Sequence, residues 1–532
     1  MQNKIRPYLI LTLFCIILFV SGQTTIPPFD RDEALFAQAS RQMIETGDYI
    51  DIRFQDRTRY KKPIGIYWLQ VAAAKLSGES ADRRAGDNPI WPYRLPSVIG
   101  AVIAVLITYG IGRRLFGHKE GLIGAGMLAT SLLLNVEARM AKTDAFLLAS
   151  ICAAQASLGH IYLSAKDNRP TSWKPALLFW TSVGIGVLIK GPVILLVSGL
   201  TIITLLIADR KTVWISKIHP VAGICVAALI IMPWLAAITL RTNNIFLQES
   251  ITKDLLPKLF SGHEMHGAPP GFYIATFAFT FWPGSLIAWL SIAWIWRNRR
   301  QPNVLFCLAW IVPAWLVMEI VPTKLLHYTL PTFPAIAVLS AKGLSSYVPE
   351  SKIIPFLLWG ISSIILIVAL IGIPVAADGE ISTGGVIAAI AVLAIIYYGG
   401  YGLWRGKFNI KATIIMLCIF YISAFGLLVP EMKTPWLSRQ ISEKLPPGHH
   451  QVAIVGYHEP SIVFLLGTDT KLAGVEQAVQ HLLEHPDNIA IISEKYRESF
   501  LERVPHARAI ADIRGFNYNK GKYIDLIFYR QK

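Results

Sequence analysis

Long apolar blocks separated by short charged loops dominate this chain. Blocks near 7–26, 93–112, 120–138, 144–163, 174–190, 192–208, 219–240, 271–295, 303–321, 326–346, 353–375, 384–403 and 411–430 each approach the roughly 20 residues that a helix needs to cross a bilayer. The pattern predicts a polytopic α-helical membrane protein with about 13 spans. Two stretches break it. Loop 27–92 is too polar to span, and 432–532 loses the membrane signature. Within the latter, 451–456 and 489–492 read as short buried strands and 523–529 alternates as a final strand, with helices at 474–484 and 494–503. The expected organisation is a transmembrane catalytic domain, 1–431, carrying a long first external loop, 27–92, and a small α/β domain, 432–532, outside the membrane. Inside the long loop, Leu35, Phe36, Ala39 and Met43 fall at helical spacing behind Asp32 and Glu33, and Gly47-Asp48 ends the run. A helix lying along the membrane surface is expected there.

Composition agrees with the pattern. The 532 residues are 53% hydrophobic and only 16% charged, against about a quarter charged in soluble proteins. The net charge of +16 would suit nucleic acid if the bases were clustered. They are instead spread over alternate short loops (Lys4/Arg6, Arg113/Arg114/Lys119, Lys166/Arg169, Arg210/Lys211/Lys217, Arg297/Arg299/Arg300, Lys342/Lys352, Arg405/Lys407), which is the positive-inside signature of cytoplasmic loops. A membrane surface, and no nucleic acid, is the partner this implies. An odd number of spans from a cytoplasmic N-terminus places loop 27–92 and the C-terminus outside, in a bacterial periplasm. Lys4 and Arg6 ahead of 9–20, with 21–23 as a cleavage context, also fit a secretion signal; the loop alternation requires that the segment be retained as a first helix. The five cysteines lie inside apolar runs, with neither disulfide nor metal spacing.

The candidate chemistry lies on the external loops. Loop 27–92 is basic against the positive-inside trend, with Arg31, Arg41, Arg53, Arg57, Arg59, Lys61, Lys62, Arg83, Arg84 and Arg94. An anionic ligand explains that, as does contact with anionic headgroups. Asp32-Glu33 offers a carboxylate for general-base work or simply a helix N-terminus. Lys62-Pro63, beside Tyr60, Tyr67 and Trp68, offers a fixed point charge for a phosphate or a snorkelling lysine. Arg139 and Asp144, Lys190-Gly191-Pro192, and Lys324 through Tyr328-Thr329-Leu330-Pro331 bring further ionisable groups to the same external level, where they are expensive and mark function by default. His263 and His266 could chelate a metal with help from elsewhere, or be an ordinary surface pair.

In order, these segments resemble the GT-C membrane glycosyltransferases of the protein-mannosyltransferase type, and among them the bacterial lipid A aminoarabinose transferases. Asp32-Glu33, Gly47-Asp48, Lys62-Pro63 and Tyr67-Trp68 carry the resemblance in the first loop, followed by Arg139 to Asp144, Lys190-Gly191-Pro192 and Lys324 to Pro331. It implies an inner-membrane hexosyl- or pentosyltransferase that takes a sugar from a polyprenyl-phosphate donor on the periplasmic face. The sugar passes, with inversion, to lipid A, another glycolipid or a protein. Asp32, with Glu33, would be the catalytic carboxylate, and Lys62 would hold the donor phosphate. Arg139, Lys190, Lys324 and Tyr328 would bind phosphate or sugar, and Asp144 would organise the site. A divalent metal is a possible cofactor, with no ligands assigned. Lys61, Ile64 and His327 depart from the family pattern, which bears on the sugar and on any metal held through position 61. A transporter or flippase of lipid-linked sugars is the alternative; it should show internal repeats and broken midplane helices, and no repeat is visible.

Overall fold

The computed structural model describes residues 2–80, 89–209, 212–255, 267–346, 352–446 and 450–531; the side chains of 2–4 and 253–255 are outside the description. His263, His266, Arg83 and Arg84 lie outside these residues.

Among the described residues seven helices are long and apolar enough to cross a membrane: Trp91–Leu115, Asp144–Lys166, Val213–Arg241, Pro302–Ile320, Ile353–Asp378, Thr383–Trp404 and Ile410–Glu431. Ile5–Val20, Val193–Asp209 and Ser285–Arg297 are shorter apolar helices. The chain is a multi-pass helical membrane protein. Several apolar blocks that read as single spans are broken. Block 120–138 divides into α5 (His118–Ala129) and α6 (Leu132–Glu137), and 326–346 opens with a 3₁₀ turn, Leu326–Thr332, before the helix Phe333–Ser346. The second break carries His327 and Tyr328, and the short helix that follows the first ends at Glu137.

The first long loop is folded rather than draped on the membrane. After α1 (Gln2–Val20) the chain turns through Pro27 and Pro28 into α2 (Asp32–Thr46), makes a two-residue hairpin, β1 (Arg53–Phe54) with β2 (Arg57–Thr58), and continues into α3 (Gly65–Leu76). Gly47 closes α2 at φ 71°, donating its N–H to the Met43 carbonyl, a left-handed cap that glycine adopts without penalty. Glu33, Ala34 and Phe36 through Ile44 are buried on every side of α2. The expectation of a surface-lying amphipathic helix is therefore corrected: α2 is packed between α3 and the C-terminal domain. That domain is a five-stranded mixed sheet. Its order is β4-β3-β5-β7-β6, from β3 (Val452–Val455), β4 (Lys471–Leu472), β5 (Ile489–Ser493), β6 (Arg508–Asn517) and β7 (Lys522–Arg530). β3 is parallel to β4 and β5, and β7 is antiparallel to β5 and β6.

Candidate active site

Arg94, near the start of α4 (Trp91–Leu115), organises the first loop. Its guanidinium, wholly buried, pairs through one edge, Nε and Nη2, with both oxygens of Glu33 (2.8 and 2.9 Å) and donates to the carbonyls of Gln23, Ile26 and Pro27. Glu33 also accepts the backbone N–H of Phe29 and of Ala141, each at 2.8 Å. A planar fork against a carboxylate suits such a buried pair. Its effect is to tie the start of α2 to segment 139–143. Gln70 of α3 donates to the Ala141 carbonyl, Ser40 donates to Gln70, and Ser97 donates to the carbonyls of Met140 and Lys142. Segment 139–143 is thus sewn to α2, α3 and α4 through its backbone, which leaves the Lys142 ammonium for the site.

A charged cluster collects beyond that seam. Lys142 Nζ lies 2.9 Å from Glu137 Oε1, and Lys190 Nζ lies 2.5 Å from Asp144 Oδ1. Asp144 begins α7 (Asp144–Lys166) and Lys190 ends α8 (Lys174–Lys190). His327 sits between the two carboxylates, 3.8 Å from Glu137 and 3.7 Å from Asp144. The Tyr328 ring lies under Lys190, 5.7 Å from Nζ to the centroid. Asp32, exposed at the start of α2, acts electrostatically on Lys142, and Lys62 acts on His327. Burial opposes the Lys142 charge, but Glu137 and Asp144 outweigh it and raise its pKa, so this lysine stays cationic. Lys62 reaches the cluster because α3 packs tightly on the end of α8. A Cβ on Gly65 would stand 2.7 Å from the Leu188 carbonyl oxygen, and only glycine permits that approach. Two carboxylates and two ammoniums therefore surround His327, with Asp32 and Lys62 near enough to act on the cluster electrostatically.

Of the residues expected to form the site, Asp144, Lys190 and Tyr328 are in contact, and Asp32 and Lys62 lie within electrostatic range of them, the Lys62 ammonium donating to the Lys61 carbonyl at 3.0 Å. Glu33, Arg139 and Lys324 are set apart, because each is held by partners outside the cluster. Glu33 is the Arg94 partner described above. Arg139, buried, donates to the carbonyls of Ser21, Leu18 and Asn135 and stacks on Phe425 at 4.1 Å. Lys324 donates to the carbonyls of Met318, Glu319 and Val321, closing the C-terminus of the helix Pro302–Ile320. Conversely, Glu137, Lys142 and His327 were not anticipated as site residues. Their signal was present in the chain: an acid ending an apolar block, and a lysine two residues before Asp144.

Glu137, Asp144 and His327 offer ligand atoms within 4.8 Å of one another, the spacing a cation would need. The donor set does not fit one well. Each carboxylate already has an ammonium at contact distance, and a divalent ion placed between them would be repelled by both lysines.

Over 99% of its length the chain superposes on ArnT of Cupriavidus metallidurans bound to undecaprenyl phosphate, with a TM-score of 0.74 at 18% identity, covering 98% of that protein. The fold is that of the GT-C glycosyltransferases. An Archaeoglobus fulgidus oligosaccharyltransferase shares the GT-C fold more distantly, at a TM-score of 0.53 and 11% identity over 99% of this chain and 74% of that one. By sequence, residues 61–236 match the family described as dolichyl-phosphate-mannose-protein mannosyltransferase. The chain is also similar to undecaprenyl phosphate-alpha-4-amino-4-deoxy-L-arabinose arabinosyl transferases. It is 26% identical to that of Aeromonas salmonicida over 64% of this chain and 60% of the relative, and 26% identical to that of Aeromonas hydrophila over 82% and 78%. The match to the first of these spans under two thirds of its length.

Proposed function

We propose that the protein is a polyprenyl-phosphate-dependent glycosyltransferase that moves a pentose or hexose to an envelope glycolipid of the lipid A type. The observation that carries this reading is the convergence of Asp32, Lys62, Lys142 and Lys190 on one cluster at the ends of membrane helices. Relatives named for undecaprenyl-phosphate-linked aminoarabinose, and a fold neighbour that binds undecaprenyl phosphate, support the donor class. In this reading Lys62 and Lys190 hold the donor phosphate. That phosphate leaves once its charge is neutralised, so no nucleotide site is needed. The acceptor oxygen attacks the anomeric carbon from the opposite side, which inverts it. Asp32 takes the acceptor's proton when the acceptor is a hydroxyl, and orients it when the acceptor is a phosphate already ionised. Asp144 holds Lys190 in place, and Lys142 neutralises Glu137.

In this reading the cluster and the C-terminal domain face the periplasm of a bacterial inner membrane, a side that the alternation of basic short loops supports. About 13 crossings follow if the shorter and broken apolar helices each complete one. Purified protein supplied with undecaprenyl phosphate-aminoarabinose and lipid A tests the donor assignment. Lys62→Ala and Lys190→Ala should each raise the donor KM by about tenfold, the loss of one charge-assisted contact of about 1.4 kcal/mol. Donor KM values equal to wild type in both variants would remove these lysines from the phosphate site.

A further inference from the structure

The turn that delivers Asp32 is gripped by the C-terminal domain. The Asp30 N–H donates to the Tyr518 hydroxyl at 2.6 Å, and the Asp30 carboxylate accepts the Ser461 N–H at 3.1 Å. The Phe29 ring meets Trp436 edge-on, with 5.1 Å between centroids. Tyr518 is itself held from both sides. Asn517 and Asn519 donate to the two oxygens of Glu459, each at 2.8 Å, so the turn carrying the tyrosine is locked beside the helix Pro460–Leu466 that supplies Ser461. Further along α2, Gln38 donates to Thr468 at 2.7 Å, Thr468 donates to Glu45 at 2.6 Å, and Gln55 donates to the carbonyls of Thr468 and Thr470.

Between the two grips lies a strained residue. Arg31 has φ 63° and ψ −106°, a conformation that is unfavourable by about 1–3 kcal/mol for a residue with a side chain and persists only where its surroundings enforce it. On its N-terminal side Asp30 is pinned by Tyr518 and Ser461. On its C-terminal side Glu33 is pinned by Arg94. Asp32 lies between these anchors, within electrostatic range of Lys142.

We infer that the C-terminal domain is a positioning element for transfer, acting through a latch of Tyr518, Ser461 and Asp30 that holds the strained turn and so fixes Asp32. The inference rests on the assignment of Asp32 to the transfer step. Tyr518, Ser461 and Asp30 are positioning residues: they touch the turn rather than the substrate. A relaxed turn would displace the carboxylate, and small misplacements of a reacting group are costly in rate while leaving distant phosphate contacts intact.

Tyr518→Phe removes only the hydroxyl that the Asp30 N–H uses. Hydrogen exchange on the full-length protein in nanodiscs reads the latch directly, and steady-state transfer from undecaprenyl phosphate-aminoarabinose to lipid A reads its effect. The expected result is loss of amide protection over residues 29–32, with kcat down about tenfold and the donor KM unchanged. Asp30→Asn, which keeps an oxygen for Ser461, should retain most of the rate, whereas Asp30→Ala should lose it. A wild-type turn that exchanges as fast in full as an exposed loop would overturn the latch. Lost protection with unchanged kcat would overturn the positioning role. If wild type transfers no sugar at all, the functional reading fails on its own, and the exchange data still decide whether the latch exists.

Discussion

Asp32 and Glu33 are adjacent in sequence, and the first turn of α2 sends them to different surroundings. Glu33 is wholly buried against Arg94, while Asp32 stays exposed and acts on Lys142. The contrast yields separable outcomes. Glu33→Gln leaves the buried Arg94 charge uncompensated, and removal of one member of such a pair costs about 3–5 kcal/mol; the expected finding is poor yield and a lowered Tm. Asp32→Asn should fold with an unchanged Tm and lose transfer. A Glu33→Gln variant with wild-type thermal stability would contradict the structural role assigned to that acid. Lys324 belongs with Glu33. Lys324→Met should lower Tm by losing three carbonyl contacts while the donor KM stays as in wild type, and a raised KM would return this lysine to the site. The chain announced its ionisable residues by placing them beside apolar blocks. Which of them face substrate and which cap a helix depends on carbonyls supplied from far away, such as Leu18 and Ser21 for Arg139, and no local pattern encodes that.

At the scale of elements, the apolar periodicity found the long helices, and Gly47 marked the end of α2 as expected. It read through the breaks at 130–131 and 326–332, because burial in a bundle keeps both sides of a broken helix apolar. Those breaks deliver Glu137, His327 and Tyr328. In the C-terminal domain the buried strands β3 and β5 stood out as apolar runs. The edge strand β6, exposed along most of its first half, carried no alternation to read, and β4 has only two residues. The contact of α3 with α8 rests on Gly65. Gly65→Val should push the Lys62 segment away from Lys190 and raise the donor KM several-fold. An unchanged KM with normal stability would show that Lys62 reaches the site without this close approach.

For the whole molecule, the membrane body and the C-terminal domain meet over the first loop, and the seam carries a titratable group. Burial raises Asp30 from the ordinary carboxylate range to about 7, with Glu459 adding repulsion, while hydrogen bonds from Ser461 and Tyr457 pull the other way; Tyr518 lies on the same side. The docked state thus holds the Asp30 proton more tightly than an undocked chain does. Its contribution to docking is complete below the ordinary carboxylate pKa and is lost as pH rises through about 7. Thermal stability should fall between about pH 4 and pH 7, and Asp30→Asn should flatten that slope; an equal slope in the variant would place the titration elsewhere. The division at 432 was visible as a change in composition. The grip of the C-terminal domain on Asp30 was not, since its partners lie more than 400 residues away.

Lipid mass spectrometry on cells carrying wild type, no copy, or Asp32→Asn tests the central claim most directly. A sugar-sized mass should be present on lipid A or a related envelope glycolipid only with wild type. The polyprenyl-phosphate donor should accumulate in the other two. Asp32→Asn cells that decorate the glycolipid as wild type does would contradict the account.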